Sequence, residues 1–315
     1  MADKACPMKK TSIGGQALIE GVMMRGPQRT AMAVRHTSGE IRMETWDNPV
    51  GKRPAFTKWP LVRGIFNYVD SMKYGYKCLM RSAELSGLDE ELTEENAEPK
   101  DEKKASRLLN LVMIIGSVLG VALSLVLFMW LPIQLFNWLR PLVPAMDNPY
   151  VRAVFEGVLR IVIFLCYMLL VSRMKDIRRT FQYHGAEHKT IFCYEKGLPL
   201  TVENVREQSR FHPRCGTSFL ILMLLVGIVI SIFIRVDHAL LRTAIKLLLL
   251  PVTVGVGYEL IKLAGRKDNA LMRIISAPGL WVQRLTTIEP DDGLIECAIA
   301  SLQEVIPEDP EADNW

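Results

Sequence analysis

Hydrophobic residues are concentrated in four long apolar runs, separated by segments rich in polar and charged residues. The runs cover residues 108–131, 151–171, 218–234 and 239–263. Each is long enough, or nearly so, to cross a hydrocarbon core about 30 Å thick, which takes roughly 20 helical residues. The pattern predicts a mainly α, polytopic membrane protein with about four transmembrane helices and the lipid bilayer as its main partner.

Lysine and arginine are unevenly distributed around these runs. They are frequent before the first run, in the connection 173–216 and after residue 263, whereas the two other loops carry only two each. Cytoplasmic loops carry the excess of Lys and Arg. We therefore predict a multi-pass plasma-membrane protein with both termini and the connection 173–216 in the cytoplasm. Because no apolar stretch follows the basic N-terminus, we expect no cleavable signal sequence there.

The polar and apolar segments divide the chain into four parts. Residues 1–85 are expected to hold a cytoplasmic Gly-rich segment, a hairpin and an amphipathic helix, and residues 86–107 a charged linker. Residues 108–264 form the four-span membrane domain, which includes the cytoplasmic loop 173–216, and residues 265–315 form a cytoplasmic tail. The segments outside the bilayer are expected to form a small α+β portion.

Shorter patterns predict elements within these parts. The glycines of residues 12–30 indicate tight turns or close backbone approach, either in a turn-rich segment or in a loop lining a site. Alternation on both sides of Thr37–Glu40 predicts a hairpin. Residues 61–85 follow helical spacing, which suits a helix on the inner membrane face or one packed on the span bundle.

The connection and the tail carry further helix signals. The second span is expected to continue as a helix through Arg178 into His188, and Thr201 is a plausible N-cap of a short helix reaching Arg210. In the tail, we expect Pro278 to break an amphipathic stretch, and a short helix is predicted near residues 294–305.

Composition narrows the classes of function. A net charge of +4 is too weak to indicate nucleic-acid binding, and no nucleic acid is expected as a partner. The six cysteines form no C-x-x-C pair, which is typical of reduced thiols facing the cytoplasm. The glycines match neither a dinucleotide fingerprint nor a phosphate loop.

The strongest chemical signal is an H-x-x-E-H motif in the predicted connection between spans two and three. It consists of His184, Glu187 and His188. Residues four apart share a helix face, and the residue three along lies beside them. Two imidazoles could therefore bind one metal ion while Glu187 acts as a general base on water, as in inverted zincin motifs.

Three interpretations of this motif stay open. In the first, His184 and His188 bind a catalytic divalent metal, Zn²⁺ being expected, and Glu259 is the third ligand. In the second, His212 and Cys215 join the two histidines in a closed structural site. In the third, no metal binds, and the same residues form a polar network that orders the loop.

Charged residues inside the spans form a separate group. Glu156 and Arg160 lie one helical turn apart and could pair, and Lys246 lies near the start of the fourth span. All three fall in the outer half of their spans. We interpret them as one neutralising cluster and not as a transport path.

Four motifs resemble a known family. They are Gly14–Pro27, Tyr183–Lys189, Leu200–Arg206 and His212–Phe219, and together they are similar to the YqhQ-like family of bacterial membrane proteins. The resemblance covers about residues 12–305 and implies a multi-span protein of the cell inner membrane with the His motif on the cytoplasmic side. The family is labelled a domain of unknown function and catalogued as a predicted metal-dependent enzyme.

Motif and resemblance together favour a metal-dependent membrane enzyme of the hydrolase type. Its site would lie at the cytoplasmic membrane interface and act on a membrane-associated substrate or a protein partner. The alternative is a non-enzymatic membrane scaffold or regulatory protein whose His/Cys loop is structural. The first hypothesis requires Glu187 to be catalytic, whereas the second does not.

Overall fold

A computed structural model of the chain describes residues 9–48, 54–87, 102–142, 148–266, 269–309 and 311–314. These residues form a mainly helical protein with one small antiparallel sheet. The strands are β1 Gly14–Leu18, β2 Gly21–Arg25, β3 Arg29–Arg35 and β4 Ile41–Asp47. The helices are α1 Val62–Ser86, α2 Glu102–Leu125, α3 Leu131–Leu139, α4 Pro149–Val171, α5 Lys175–Glu195, α6 Val202–Arg206, α7 Gly216–Ile232, α8 Ala239–Leu248, α9 Leu250–Arg266, α10 Ala270–Thr286 and α11 Asp292–Gln303.

The four strands lie in the order β1-β2-β3-β4, each antiparallel to the next. The predicted hairpin is confirmed, because β3 and β4 pair across the turn with Ala33 opposite Met43. The Gly-rich segment is not only a turn region, since most of it forms β1 and β2. Its apolar core, Val22 to Met24, is fully or almost fully buried, and this burial favours strands despite the many glycines.

The sheet is covered on both faces. Side chains alternate across a strand, so Val22 and Met24 face the core formed with α5 and α11, while Met23 faces the opposite side with Met32 and Cys78 of α1. A hydrogen bond from the Met24 backbone N–H to Ser301 Oγ, 3.1 Å long, ties α11 to the sheet. The sheet is therefore the middle layer between α1 and the pair α5 and α11.

Two helical segments among the described residues are long and apolar enough to cross a membrane. They are Ile115–Leu142, which includes a π-helical stretch at Val126–Trp130, and Pro149–Val171. Helices α8 and α9 would add a third if counted as one span bent by 45°. Helix α7 is apolar but has only 17 residues. Two or three spanning helices thus meet these criteria, and the predicted number of about four is not confirmed.

Two predictions about helix continuity were wrong. The chain leaves the helix after Val171, and an extended residue, Met174, caps the new helix α5. The expected break at Pro278 does not occur, because α10 continues through it. Gly279 brings this helix so close to α7 that an added Cβ would lie 2.6 Å from the Ser218 Cα, and this packing holds the proline-containing helix in place.

Other local predictions are confirmed. The helix expected at residues 61–85 is α1, which packs against α9 where Gly64 meets Tyr258. The Thr201 side chain accepts a hydrogen bond from the Asn204 backbone N–H as the N-cap of α6, although this helix ends at Arg206. The short helix of the tail is α11. Most of the predicted charged linker, residues 88–101, lies outside the described residues.

Candidate metal site

A cavity of about 350 Å³ lies where β1, α5 and the start of α7 meet. Helix α5 contributes His184, Glu187 and His188, the three residues of the H-x-x-E-H motif. Cys215, the N-cap residue of α7, faces the same cavity, and Gly15 of β1 forms part of the wall. Three segments that are far apart in sequence therefore bring their polar groups to one place.

His184, His188 and Cys215 form a group that could hold a metal ion. Each offers one ligand atom, and these atoms lie within 4.8 Å of one another. The Nε2 atom of His184 is 3.1 Å from the Cys215 Sγ. Nitrogen and sulfur donors of this kind are the ligands that Zn²⁺ and other borderline metals prefer. The chemistry and spacing of this donor set thus fit a metal ion.

Backbone carbonyls orient both imidazole rings. The Nδ1–H of His184 donates to the Thr286 carbonyl at 2.8 Å, and the Nδ1–H of His188 donates to the Arg210 carbonyl at 2.6 Å. A carbonyl oxygen can only accept, so each ring carries a proton on Nδ1, and in the neutral ring Nε2 is the nitrogen that can bind a metal. Fixing of the second ring nitrogen in this manner is the usual support of a metal-binding histidine.

The Cys215 side chain is held in the form that binds metals. Burial acts to raise the pKa of this thiol, but His184 and His188 outweigh burial and lower the pKa well below its usual value. The Thr217 backbone N–H also approaches Sγ, at 3.4 Å, at the start of α7. The thiolate in turn overcomes the effect of burial on His184 and raises its pKa to about 9. A thiolate is the species that coordinates metals.

Glu187 lies beside the three ligands without being one of them. Its Oε2 is 3.9 Å from the Nε2 of His184. Burial raises the pKa of Glu187, with His188 and His184 acting in the opposite direction. The Gly15 backbone N–H donates to its carboxylate, and a Cβ on Gly15 would lie 2.7 Å from the Glu187 Cγ. Only glycine allows β1 to approach this carboxylate so closely.

Two of the predicted ligands, His212 and Glu259, do not belong to the converging group. His212 lines the cavity, but its Nε2 faces the Glu195 carboxylate at 3.6 Å, and its Nδ1 accepts the Arg214 backbone N–H at 3.4 Å. Burial lowers the pKa of His212 to about 4. With both ring nitrogens engaged, His212 does not complete a closed site with the other three residues.

Glu259 does not take the predicted role of a metal ligand. It accepts from Arg63 Nε at 2.7 Å and from the Leu61 backbone N–H at 3.2 Å. These bonds join α9 to the start of α1. Glu259 was predicted as the third metal ligand, but its strongest partner is Arg63, near the start of α1.

A buried network adjoins the cavity. Glu195 pairs with Arg214 and accepts the Thr11 backbone N–H at 2.9 Å, while the Thr11 hydroxyl donates to Asp313 at 2.5 Å. Tyr194 donates to the same Asp313 carboxylate at 3.0 Å, and Lys9 forms an ion pair with it. This cluster, called here the Glu195 network, joins the two ends of the described chain to α5.

Sequence reasoning missed several residues that shape the site. Glu195 and Thr286 carry no motif, and their roles depend on contacts with distant segments. Gly15 was not missed in the same sense, because it lies in the Gly-rich segment for which lining a site was one of the two predicted alternatives. Thr217, whose hydroxyl is 3.0 Å from the Cys215 Sγ, directly follows Cys215 and Gly216 at a helix start and could have been inferred from that position.

Fold and cavity together define a class: a mainly helical protein with membrane-length apolar helices and a His–His–Cys group that could hold a metal ion. The chain belongs to the family described as protein of unknown function (DUF1385), whose model matches residues 59–308. It is 36% identical over 298 residues to the uncharacterized protein YqhQ of Bacillus subtilis (strain 168), covering 93% of this chain and 92% of that protein. The resemblance inferred from the four motifs is thus confirmed. No solved structure matches the chain.

Proposed function

We propose that this protein is a Zn²⁺-dependent hydrolase whose site opens at a membrane surface. One observation carries the proposal: the Nε2 atoms of His184 and His188 and the Sγ of Cys215 converge, while both Nδ1 atoms are bound to backbone carbonyls. Three protein ligands leave one coordination position open, which is typical of catalytic and not of structural zinc.

The bound metal, Glu187 and Gly15 would each have a separate role in the proposed hydrolysis. A bound Zn²⁺ would act as a Lewis acid and activate water at near-neutral pH. Glu187 is the proposed general base, which accepts a proton from the attacking water and returns it to the leaving group. Burial raises the pKa of Glu187, the direction that eases uptake of this proton. The Gly15 N–H holds the carboxylate toward the cavity.

The membrane arrangement is part of the same proposal. We infer four spans, with α7 as a short third span and the bent pair α8 and α9 as the fourth. Seventeen residues reach about 25 Å, near the lower limit for crossing. Pro251, near the start of α9, lacks a backbone N–H and favours a bend inside one span. The Lys and Arg distribution favours cytoplasmic termini.

This arrangement would put the cavity at the cytoplasmic face of the plasma membrane. Cys215 immediately precedes the apolar helix α7, so the proposed ligands lie where a span enters the bilayer. A substrate attached to the membrane, either a lipid-linked molecule or a membrane protein segment, would reach such a site without leaving the surface.

Elemental analysis of the purified full-length protein tests the metal. We expect about one zinc ion per chain in wild type, and loss of the metal in His188→Ala and in Cys215→Ser. His238→Asn is the matched control, because His238 caps α8 far from the cavity and Asn retains capping ability. Glu187→Gln should keep its metal and lose hydrolysis of ester, amide and phosphoester test substrates.

Two results would overturn the proposal. Wild type purified after growth with added zinc could contain no stoichiometric metal, or Glu187→Gln could hydrolyse as fast as wild type. A metal that is retained by Glu187→Gln without any effect on function would support the non-enzymatic scaffold instead.

A second function is favoured by one specific distance. The 3.1 Å between Cys215 Sγ and His184 Nε2, with the thiol pKa lowered and the imidazole pKa raised, resembles a Cys–His nucleophile pair. Such a pair would carry out acyl transfer through a thioester. Rapid modification of Cys215 by iodoacetamide in metal-loaded protein would favour this function, whereas a zinc ligand should be protected until a chelator is added.

A further inference from the structure

A second polar cluster lies at the far end of α7, about 24 Å from Cys215 when measured along the helix to Ser231. Its centre is Glu156 of α4, whose side chain is 2% exposed. Glu156 accepts from Arg152 Nε at 3.2 Å, from Arg242 Nη1 at 2.9 Å and from Lys246 Nζ at 2.7 Å. We call these residues, together with Arg160, the Glu156 cluster.

The predicted grouping of Glu156 with Lys246 is confirmed, but the prediction that the cluster neutralises itself was wrong. Four buried cations surround a single buried carboxylate, and the next carboxylate, Asp237, has a side chain that is 90% exposed. Arg160 does not pair with Glu156, because its Nε donates to the Phe128 carbonyl at 2.7 Å. Among the described residues, positive charge is therefore in excess. Buried charge without a partner is unfavourable and calls for a counter-ion.

Several donors of this cluster have no partner. The Nε and Nη2 atoms of Arg242 and the Nη2 atom of Arg160 are buried and lack a hydrogen-bond partner among the described residues. Arg242 is only 3% exposed and Arg160 only 8%. Three unused guanidinium donors around one acidic residue match the need of an anion with several acceptor oxygens.

Two adjoining cavities supply the space. A polar cavity of about 200 Å³ is lined by Arg152, Glu156, Arg242 and Lys246 and reaches the loop at Asp237. This is several times the roughly 30 Å³ that one water molecule occupies. An apolar cavity of about 250 Å³ shares three wall residues with it: Ser231, Ile234 and Lys246.

The apolar cavity is shaped by span-forming helices. Phe128 and Phe164 line one side, and Leu224 of α7 lines another. Arg160 also lines the apolar cavity. Its unpartnered Nη2 atom therefore belongs to a residue that lies between the Glu156 cluster and this cavity. A ligand that fills both cavities would need an anionic head joined to a hydrocarbon chain.

We propose that the Glu156 cluster binds the phosphate group of an anionic phospholipid, with part of an acyl chain in the apolar cavity. A phosphodiester offers the acceptor oxygens that Arg242 and Arg160 lack, and a free phosphate ion would offer the same chemistry. The apolar cavity favours the lipid over the free ion. The inference uses the membrane arrangement proposed above and is independent of the metal.

Native mass spectrometry of the full-length protein in detergent tests this assignment. Phosphatidylglycerol and diacylglycerol with identical acyl chains are titrated in parallel, and inorganic phosphate is added as a competitor. We expect phosphatidylglycerol to bind roughly tenfold or more tightly than diacylglycerol, since hydrogen bonds to charged groups are strong. Millimolar phosphate should not displace it. Equal binding of the two lipids, or displacement by an equivalent concentration of phosphate, overturns the lipid assignment.

Variants locate the site. Arg242→Gln removes two of the three unused donor atoms and leaves Glu156 with Arg152 and Lys246, so we expect phosphatidylglycerol binding to weaken roughly tenfold. Arg173→Gln, an exposed arginine after α4, removes the same charge and should not change binding. Unchanged binding in Arg242→Gln overturns the proposal. If that variant does not fold, Arg242→Lys keeps the charge without the planar fork, and it must also bind more weakly than wild type.

Discussion

His188 and His212 lie side by side in the protein, with ring centroids 5.5 Å apart, but they serve different regions. His188 uses one nitrogen for a backbone carbonyl and leaves the other facing the cavity, whereas His212 has partners at both nitrogens. The same holds for the carboxylates: Glu187 has one backbone donor and a cavity beside it, but Glu195 is enclosed by Arg214, Thr11 and His212.

This contrast separates the candidate metal site from the Glu195 network, which supports the fold around it. The metal-site residues and the Glu195 network use similar groups at similar burial, but only the former bring ring nitrogens and a thiol together around one cavity. Converging nitrogen and sulfur donors suit a metal ion, whereas the carboxylates and cations of the network satisfy one another, as buried polar groups normally do. The network, by comparison, fixes the wall behind the cavity and should matter more for stability than for chemistry.

The largest expected effect comes from opening the network. Arg214→Ala leaves Glu195 buried without its ion-pair partner, and loss of one partner of a buried pair costs about 3–5 kcal/mol. Thermal unfolding followed by circular dichroism measures this loss, with Arg173→Ala as the exposed control. Folded Arg214→Ala protein should still bind the metal. If Arg214→Ala loses no more stability than Arg173→Ala, the proposed stabilising role of the Glu195 network is wrong.

A smaller effect is expected where β1 meets the site. In Gly15→Ala the new methyl group would clash with Glu187 and with the Met24 Sδ, at 2.7 Å and 2.8 Å. Overpacking of this kind costs about 1–3 kcal/mol, and the shift of Glu187 should reduce hydrolysis while zinc content is unchanged.

The chain offers a matched control at the preceding position. A Cβ on Gly14 would meet nothing within 4 Å, so Gly14→Ala should retain both stability and hydrolysis. Equal behaviour of the two variants in unfolding and turnover assays would show that the close approach to Glu187 has no importance.

The smallest expected effect is a pH dependence in the network. Burial opposes ionisation of Asp313, but hydrogen bonds from Lys9, Thr11 and Tyr194 outweigh it and lower its pKa. A lowered folded-state pKa contributes stability above the unfolded pKa of about 3.9, and this contribution is lost as pH falls through the folded value. The difference in Tm between wild type and Asp313→Asn should therefore shrink as pH drops below about 4.

Glu308→Gln controls for the loss of one exposed negative charge near the same end of the chain. Its Tm should follow that of wild type at every pH. A constant difference between wild type and Asp313→Asn across the acidic range would mean that Asp313 contributes through packing and not through its charge.

Sequence could predict those parts that depend on local spacing. The placement of His184 and His188 on one helix face follows from their separation by four residues. Cys215 was a ligand candidate because of its ligand chemistry, in the interpretation of a closed structural site. Helices α1 and α11 and the hairpin are likewise local patterns. In β1 and β2, the glycines needed for close packing concealed the strand pattern.

Partners far apart in sequence could not be predicted. Glu259 was predicted as the third metal ligand beside the two histidines. In the structure it accepts a hydrogen bond from Arg63, 196 residues away in sequence. Whether His212 contacts a metal or a carboxylate depends on Glu195, and no sequence motif indicates that Glu195 lies beside it. Burial and competition among such partners are properties of the packed chain and not of spacing.

The hydrogen bond between Thr11 and Asp313 joins residues 302 positions apart. At roughly 5–20 residues per second, about 15 to 60 seconds of synthesis separate them on the ribosome. During this time the sheet has been made, but α11, which covers Val22 and Met24, has not. A nascent chain would thus hold an apolar sheet face that only α5 covers in part until α11 emerges, and truncation before α11 should expose the rest of that face to chaperones and proteases.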